Sequence, residues 1–186
     1  MREHITFGFV GIGLIGGSVA KALRRVYPSC KIIVYNRSAE PRVMAINDGT
    51  ANVAVPQVDK TFNECDYIFL CTPVEKNVEY LKILKDIIKD DCIITDVGSV
   101  KGNIHKAVEE LGLKKNFIGG HPMAGSEKTS YTYANDRLVE NAYYAITPTD
   151  AVSKERVEEF TEIVQGIGAI PINISYEEHD KVVATL

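Results

Sequence analysis

The sequence predicts an α/β protein with a doubly wound, mainly parallel β-sheet. Short runs rich in β-branched and aromatic residues alternate with longer segments of helical periodicity, and a glycine-rich turn follows the first run. The strand candidates span residues 5–10, 31–35, 67–71, 92–97, 117–120, 143–147 and 169–174. Since helical segments separate most of these strands, we expect crossover connections that make neighbouring strands parallel.

The helical segments carry apolar residues on one face. This face consists of Ile15, Val19, Leu23 and Val26 in one segment, Val74, Val78, Leu81 and Ile88 in another, and Val157, Phe160, Val164 and Ile167 in a third. Residues 177–186 look like the start of a further helix with an acidic first turn. We therefore expect residues 1–174 to form one domain and residues 175–186 to be the first turns of a truncated helical domain.

Composition narrows the classes of partner. With 21 Lys+Arg against 25 Asp+Glu, the formal net charge is -4, so we expect no binding to nucleic acid or to an anionic membrane. Cys30, Cys65, Cys71 and Cys92 match no zinc-binding spacing, so we expect reduced thiols and no metal site. An apolar strand candidate follows the first residues directly and is soon broken by glycines, which predicts a cytoplasmic protein without signal peptide or membrane span.

The turn after the first strand contains the pattern GxGxxG at residues 11–16, between a predicted strand and a predicted helix. Gly11 permits the tight turn, Gly13 lets the backbone approach a pyrophosphate, and Gly16 allows close packing of helix on strand. The helix N-terminus presents N–H groups and a positive dipole to phosphates. This context predicts a Rossmann-type dinucleotide-binding domain; the alternative is a glycine-rich packing turn.

The end of the second strand bears on the choice of cofactor. Rossmann domains that bind NAD have an acidic residue there, whereas this chain has Asn36, 20 positions after Gly16, followed by Arg37 and Ser38. These groups can hydrogen-bond a 2′-phosphate, and no carboxylate is present to repel it. We therefore expect NADP in preference to NAD. The alternative is that Arg37 is a solvated loop charge and that Asn36 serves either ribose.

Two further segments lie at predicted carboxyl ends of strands, where open α/β sheets bind ligands. In the first, residues 71–74, Pro73 ends the strand and begins the next helix, which leaves Thr72 free to face the cofactor. The alternative is that Thr-Pro is simply a common way to begin a helix. In the second, residues 96–101, Ser99 stands at a predicted helix start, where it is the N-cap, a ligand, or both.

The segment 119–127 contains the candidate general base. His121 lies at a strand end between two glycines and a proline, in a stretch too poor in bulky side chains to be core. An imidazole titrates near neutrality, as a proton acceptor in alcohol oxidation requires. His4 and His105 lack this setting, and His179, in the final helix, receives no assignment.

The motifs together are similar to those of one enzyme family. They are GxGxxG at 11–16, CTPV at 71–74, DVGSVK at 96–101, GGHPMAGSE at 119–127 and EEHD at 177–180. In this combination and over nearly the whole chain, the sequence resembles the prephenate dehydrogenase family, which includes arogenate and cyclohexadienyl dehydrogenases. The resemblance implies NAD(P)-dependent oxidative decarboxylation of prephenate to 4-hydroxyphenylpyruvate in tyrosine biosynthesis. Arogenate is the other candidate substrate.

The resemblance also implies residue roles. It makes His121 the catalytic histidine, which takes the proton of the ring hydroxyl as hydride leaves the same carbon for the nicotinamide. It places Ser99 beside the nicotinamide and the reacting hydroxyl, and Gly125, Ser126 and Glu127 in a loop over the substrate. Family members continue into an all-helical domain that forms a homodimer and supplies an arginine for the substrate carboxylate. That domain is not among the 186 residues.

Two other functions stay open. One is a reductase of the β-hydroxyacid or 6-phosphogluconate type, in which the second strand often ends in Asn-Arg; the general use of a lysine as acid/base in those enzymes argues against it here. The other is a nucleotide-binding fragment without catalysis.

The expected cofactor-binding residues of the main prediction are Gly11, Gly13, Leu14, Ile15, Gly16, Asn36, Arg37, Ser38, Cys71, Thr72, Pro73 and Val74.

Overall fold

Strands and helices alternate along the computed structural model, which describes residues 4–186. The strands are β1 (Thr6–Val10), β2 (Lys31–Tyr35), β3 (Val53–Val55), β4 (Tyr67–Leu70), β5 (Ile93–Asp96), β6 (Ile118–Pro122), β7 (Tyr143–Pro148) and β8 (Ile170–Asn173). The α-helices are α1 (Leu14–Val26), α2 (Ala39–Asn47), α3 (Val74–Leu84), α4 (Gly102–Glu110), α5 (Lys154–Gly166) and α6 (Tyr176–Val183). Among residues 4–186, no helix is long and apolar enough to cross a membrane.

The first five strands form a parallel sheet in the order β3-β2-β1-β4-β5. Gly8 at the centre of β1 pairs with Ile33 of β2 on one side and with Ile68 of β4 on the other. The strand order therefore reverses at β1, and the carboxyl ends of β1 and β4 flank a crevice. In open α/β sheets this switch point is where ligands bind.

The remaining strands form a second sheet in the order β6-β7-β8. A parallel bridge between Ile94 and Phe117 joins it to β5, so β6 runs in the same direction as the first five strands. β7 is antiparallel to β6, with Ala145 opposite His121, because the connection between them contains no α-helical crossover. The prediction of a mainly parallel, Rossmann-like sheet is confirmed.

Side chains alternate across the strands and form an apolar layer on each face of the sheet. On one face, Phe9 and Phe69 stack with their ring centroids 4.9 Å apart, beneath α1 and α5. On the other face, Ile33, Ile68 and Leu81 belong to the layer that α3 and α4 cover. These layers fix the helices that carry the site residues against the sheet.

The strand candidates of the sequence all appear, with ends shifted by a few residues at most. Periodicity did not indicate α2 or β3, and β3 is an edge strand of only three residues. Two residues of the predicted apolar helix faces fall outside the helices, since α3 ends before Ile88 and Ile167 follows the last residue of α5. The domain boundary at residue 174 stays a prediction; α6 begins just after it, with Ser175 as its N-cap.

Candidate active site

The glycine turn joins β1 to α1 at the switch point of the sheet. Gly11 has φ +95°, and a Cβ there would lie 2.8 Å from Cγ2 of Thr72. A Cβ at Gly16 would lie 2.5 Å from the carbonyl oxygen of Gly11 and 2.9 Å from Cβ of Cys71. Both positions therefore require glycine, the first for its backbone conformation and the second for the close approach of α1 to the end of β4.

Two backbone donors of this turn have partners within the chain. The N–H of Ile12 donates to Oδ1 of Asn36 at 3.1 Å, which ties the turn to the end of β2. The N–H of Leu14 donates to the carbonyl oxygen of Thr129 at 3.0 Å, and a Cβ at Gly13 would lie 3.0 Å from the same oxygen. The segment after β6 therefore lies directly against the N-terminus of α1.

A cavity of about 490 Å³, which we call the β2-end cavity, opens beside Gly11. Asn36, Arg37, Thr72 and Pro73, all predicted to contact the cofactor, are among the residues that line it. Lys76 lines it as well, and it was not predicted. Burial and the hydrogen bond with Tyr35 raise the pKa of Tyr80, another lining residue, to about 12, so its hydroxyl stays neutral.

A second cavity, of about 330 Å³, lies at the N-terminus of α1 and is called the loop cavity here. Its lining residues are Gly13, Leu14, Ile15, Gly16, Cys71, Val97, Ala124, Gly125, Ser126, Lys128 and Thr129. Five predicted cofactor residues and two predicted substrate-loop residues thus meet in one place. Five other predicted residues line neither cavity: Ser38, Val74, Ser99, His121 and Glu127.

The hydroxyl of Thr72 has a partner within the chain. Its hydroxyl donates to Oδ1 of Asn77 at 2.5 Å, and its N–H donates to the same oxygen at 3.2 Å. The hydroxyl hydrogen is therefore used by the buried amide of Asn77 in α3, while Thr72 itself lines the β2-end cavity. The neighbouring Cys71 thiol remains protonated, since burial raises its pKa.

His121 stands at the carboxyl end of β6 and is half-buried. Its Nδ1 lies 2.8 Å from Nε2 of the buried His179, and Nδ1 of His179 lies 2.9 Å from Oδ1 of Asp180. The Asp180 carboxylate also accepts the N–H groups of Lys101 at 2.9 Å and of Gly102 at 2.8 Å. A hydrogen-bonded chain therefore runs from the start of α4 through α6 to the imidazole of His121.

Two effects keep the imidazole of His121 neutral. Burial lowers its pKa to about 4, and the neighbouring His179 and Lys101 act in the same direction. A ring with this pKa is an available proton acceptor throughout the neutral pH range. His105 also has a pKa lowered to about 4 by burial, but its Nε2 is bonded to Thr147 and its ring stacks on Tyr176.

A buried ion pair holds the end of β5 against β6. Nζ of Lys101 contacts Oδ2 of Asp96, and both side chains are fully buried. Oδ1 of Asp96 accepts the N–H of Gly120 at 3.1 Å, and Oδ2 accepts the N–H of Gly98 at 3.2 Å. This carboxylate therefore fixes the backbone one residue before His121.

The prediction that Ser99 caps the following helix is wrong. Ser99 is exposed in the turn after β5, and α4 begins at Gly102 with Lys101 in the N-cap position. Asp180 supplies the capping carboxylate from α6 instead, a contact between residues far apart in the chain. Ser99 is thus left available on the same edge of the sheet as His121.

Sequence reasoning missed His179 and Asp180, which a periodicity signal could have indicated. Tyr176, His179, Asp180 and Val183 are spaced as one face of a helix, and they are the residues of α6 that are not exposed. A histidine and an aspartate on the inward face of a helix need polar partners inside the fold. That requirement distinguishes them from Glu177 and Glu178, which are exposed.

A parallel sheet that reverses its order at β1, a GxGxxG turn and two cavities around the N-terminus of α1 define a Rossmann-type dinucleotide-binding domain. The amide residue Asn36 follows β2, and His121 stands at the same edge of the sheet. A family model described as "Prephenate dehydrogenase, nucleotide-binding domain" matches residues 19–173. The chain belongs to this family.

Relatives of known name agree with this assignment. The chain is 34% identical over 183 residues to the prephenate dehydrogenase of Bacillus subtilis. The matched region covers 97% of this chain and 49% of the relative. Prephenate dehydrogenase from A. aeolicus, solved in complex with hydroxyphenyl propionate and NAD+, superposes with a TM-score of 0.89 at 34% identity, covering 96% of this chain and 62% of that one. Synechocystis arogenate dehydrogenase gives a TM-score of 0.90 at 30% identity, covering 97% and 63%. The chain thus spans about half the length of the curated relative.

Proposed function

We propose that this chain is the nucleotide-binding and proton-accepting part of an NAD(P)-dependent dehydrogenase that oxidises and decarboxylates prephenate, or its amino analogue arogenate. The observation that carries the proposal is the neutral imidazole of His121 at the sheet edge that also bears the glycine turn. Only two residues separate His121 from Ala124, which lines the loop cavity beside Gly13. Two of the relatives reported above are named for these two substrates.

The residues present fit a dinucleotide. A Cβ at Gly11 or Gly16 would clash within the chain, as expected of the first and third glycines of a dinucleotide-binding turn. The first turn of α1 would hold the pyrophosphate through its N–H groups, with the adenosine ribose in the β2-end cavity and the nicotinamide toward the loop cavity. Because the N–H of Leu14 is bonded to Thr129, the pyrophosphate would displace that carbonyl.

The reaction needs an acceptor for the hydride that leaves the ring carbon and an acceptor for the proton of the hydroxyl on that carbon. A bound nicotinamide supplies the hydride acceptor. His121 accepts a hydrogen bond from the ring hydroxyl and takes its proton as the carbon–hydrogen bond breaks, and Ser99 orients the same hydroxyl. Loss of the ring carboxylate as CO2 then completes the aromatic ring. Proton acceptance by a positioned imidazole contributes roughly 10²–10⁴-fold to such a rate.

We propose NADP as the preferred cofactor. Arg37 and Lys76 are the charged residues that line the β2-end cavity, and both carry the sign that a 2′-phosphate requires. Asn36 has Oδ1 engaged by Ile12, while its Nδ2 contacts the carbonyl oxygen of Ser38 only at 3.3 Å, so an amide donor remains near the ribose. The A. aeolicus relative holds NAD+ in its solved structure, so affinity measurements with both nucleotides decide this point.

We also propose that the complete gene product is a cytoplasmic homodimer. The family resemblance supports this, and so does the apolar surface at the β7–β8 edge, where Tyr143, Ile170 and Ile172 are exposed. Light scattering coupled to size exclusion would give the mass of a dimer. A monomeric complete gene product would contradict the assembly proposal.

The central experiment measures binding and turnover separately. Calorimetric titration of the chain with NADP and NAD tests the nucleotide site. Prephenate-dependent nucleotide reduction, with detection of CO2 and 4-hydroxyphenylpyruvate, tests the reaction in the complete gene product that contains these residues. Nucleotide binding together with prephenate oxidation supports the proposal. Binding of nucleotide with no oxidation of prephenate or arogenate by the complete gene product would reject it.

A further inference from the structure

We propose that His179 and Asp180 are positioning residues that fix the tautomer of His121, so that Nδ1 of His121 carries the proton and Nε2 is the acceptor. The inference deepens the proposed function and rests on it for its catalytic meaning. The tautomer itself is a property of the folded chain and can be measured without turnover. It follows from the hydrogen bonds that connect Asp180, His179 and His121.

The proton count starts at Asp180. Burial opposes ionisation of this carboxyl, but hydrogen bonds from His179 and from the N–H groups of Lys101 and Gly102 prevail and lower its pKa. The ionised carboxylate can only accept hydrogen bonds, so Nδ1 of His179 must carry a hydrogen toward it.

The same reasoning continues to His121. With its hydrogen on Nδ1 alone, the ring of His179 has a lone pair on Nε2. That atom lies 2.8 Å from Nδ1 of His121, a distance that requires one hydrogen between the two nitrogens. The hydrogen must therefore belong to Nδ1 of His121, which leaves the lone pair of His121 on Nε2.

The location of this nitrogen suits an acceptor. Among residues 4–186, Nε2 of His121 has no hydrogen-bond partner, whereas both nitrogens of His179 are bonded. His121 is half-buried and His179 is only 1% exposed, so of the two rings only His121 can meet a ligand. The buried ring therefore orients the accessible one.

Asp180 also connects this orientation to the turn that carries Ser99. Its two oxygens accept the first N–H groups of α4, two and three residues after Ser99, while one of them holds His179. A purely structural capping role would need only the bonds to Lys101 and Gly102. The further bond to His179 gives the carboxylate its influence on the proton position in His121.

The tautomer is measured on the chain labelled with ¹⁵N-histidine, by long-range ¹H–¹⁵N correlation at neutral pH. We expect a protonated Nδ1 and an unprotonated Nε2 for both His121 and His179. In Asp180→Asn the amide can donate to Nδ1 of His179, which permits the reversed arrangement with a hydrogen on Nε2 of His121. A reversed or mixed tautomer of His121 in this variant supports the proposal. A hydrogen on Nε2 of His121 in the unsubstituted chain, or an unchanged tautomer in Asp180→Asn, overturns it.

Kinetics of the complete gene product give the second readout. Asp180→Asn should lower kcat roughly 10- to 100-fold with nucleotide Kd changed less than about 3-fold, as expected for a residue that acts through the base. Glu177→Gln is the matched control, because it removes one charge from an exposed residue in the same helical turn. An equal loss in the control, or an unchanged kcat in Asp180→Asn, contradicts the proposal.

A pair of substitutions at His179 provides an independent test in case Asp180→Asn does not fold. Gln can donate to Asp180 and accept from Nδ1 of His121, whereas Leu can do neither. We expect kcat of His179→Gln to exceed that of His179→Leu by at least about 10-fold at equal nucleotide affinity. Equal kcat values would overturn the positioning role. If neither the unsubstituted protein nor any variant oxidises prephenate or arogenate, the proposed function fails, and the ¹⁵N measurement still decides the tautomer.

Discussion

The carbonyl oxygen of Thr129 accepts a hydrogen bond from the N–H of Leu14 at 3.0 Å. This bond places the segment after β6 on the helix N-terminus to which a pyrophosphate would bind. The segment that follows His121 and the glycine turn therefore share one backbone donor. We therefore expect binding of the cofactor and the position of this segment to be coupled through that donor.

We expect NADP binding to displace Thr129 from Leu14, because both the carbonyl and a pyrophosphate need the same N–H. Backbone amide resonances of Leu14 and Lys128 should shift during a titration of the chain with NADP. The amide of Gly112, in the turn after α4, lines neither cavity and serves as the internal control. Saturation with unshifted Leu14 and Lys128 signals would contradict the coupling.

His121→Asn should lower kcat of the complete gene product by roughly 10²–10⁴-fold, since the amide cannot take the proton of the ring hydroxyl. Nucleotide affinity should stay within about 3-fold, because His121 lines neither nucleotide cavity. His4→Asn is the control at an exposed position. Normal turnover in His121→Asn would remove this residue from the mechanism.

Arg37→Ala should weaken NADP binding by roughly 10- to 100-fold, the range for a hydrogen bond to a charged group, and leave NAD binding within about 3-fold. Lys76→Ala should act in the same direction, because it lines the same cavity. Calorimetric titration with both nucleotides measures the difference. Arg137→Ala, which removes an exposed cation paired with Glu140, is the matched control. Parallel losses for NADP and NAD would show that Arg37 does not select the 2′-phosphate.

Acid should destabilise the fold through His105 and His121. Burial lowers both pKa values from 6.5 to about 4, so the unfolded chain binds more protons than the fold between these values. The stabilisation that these neutral rings provide is complete above about pH 6.5 and is lost as the pH falls through about 4. Urea unfolding at several pH values should show this decrease, and His121→Asn should reduce its slope by about one proton. A slope unchanged in that variant would contradict the shifted pKa.

Gly16→Ala should destabilise the fold by about 1–3 kcal/mol, because the new Cβ would meet the carbonyl of Gly11 and Cβ of Cys71. Gly125→Ala is the control, since a Cβ at that position has no neighbour within 4 Å and needs no left-handed backbone. Chemical unfolding of both variants measures the difference. Equal stability would show that α1 can shift away from β4 without cost.

The regular elements were predictable because apolar periodicity is a local property of the sequence. The glycine turn followed from its position between a strand and a helix, and His121 from a setting poor in bulky side chains. The partners of these residues were not predictable in the same way. Asn77 binds Thr72, and Asp180 caps a helix that starts 78 residues earlier, and such contacts depend on the assembled fold.

The burial of two polar residues of α6 was also difficult to predict from the sequence. His179 and Asp180 sit among acidic neighbours, so composition gives them the character of a solvated first turn. Their burial becomes visible only when the helical face is drawn through Tyr176 and Val183. The proposed preference for NADP rests in part on Lys76, which lies at an exposed helix position that no motif marks.

The carboxylate of Asp180 binds both the start of α4 and the ring of His179, so a single side chain of α6 serves two purposes. Residues 4–174 contain every group that lines the two cavities around the glycine turn. In our proposal, the tautomer of His121 is fixed by His179 and Asp180, which follow that stretch. We therefore expect a protein that lacks α6 to bind the nucleotide still, while His121 exchanges between its two neutral tautomers.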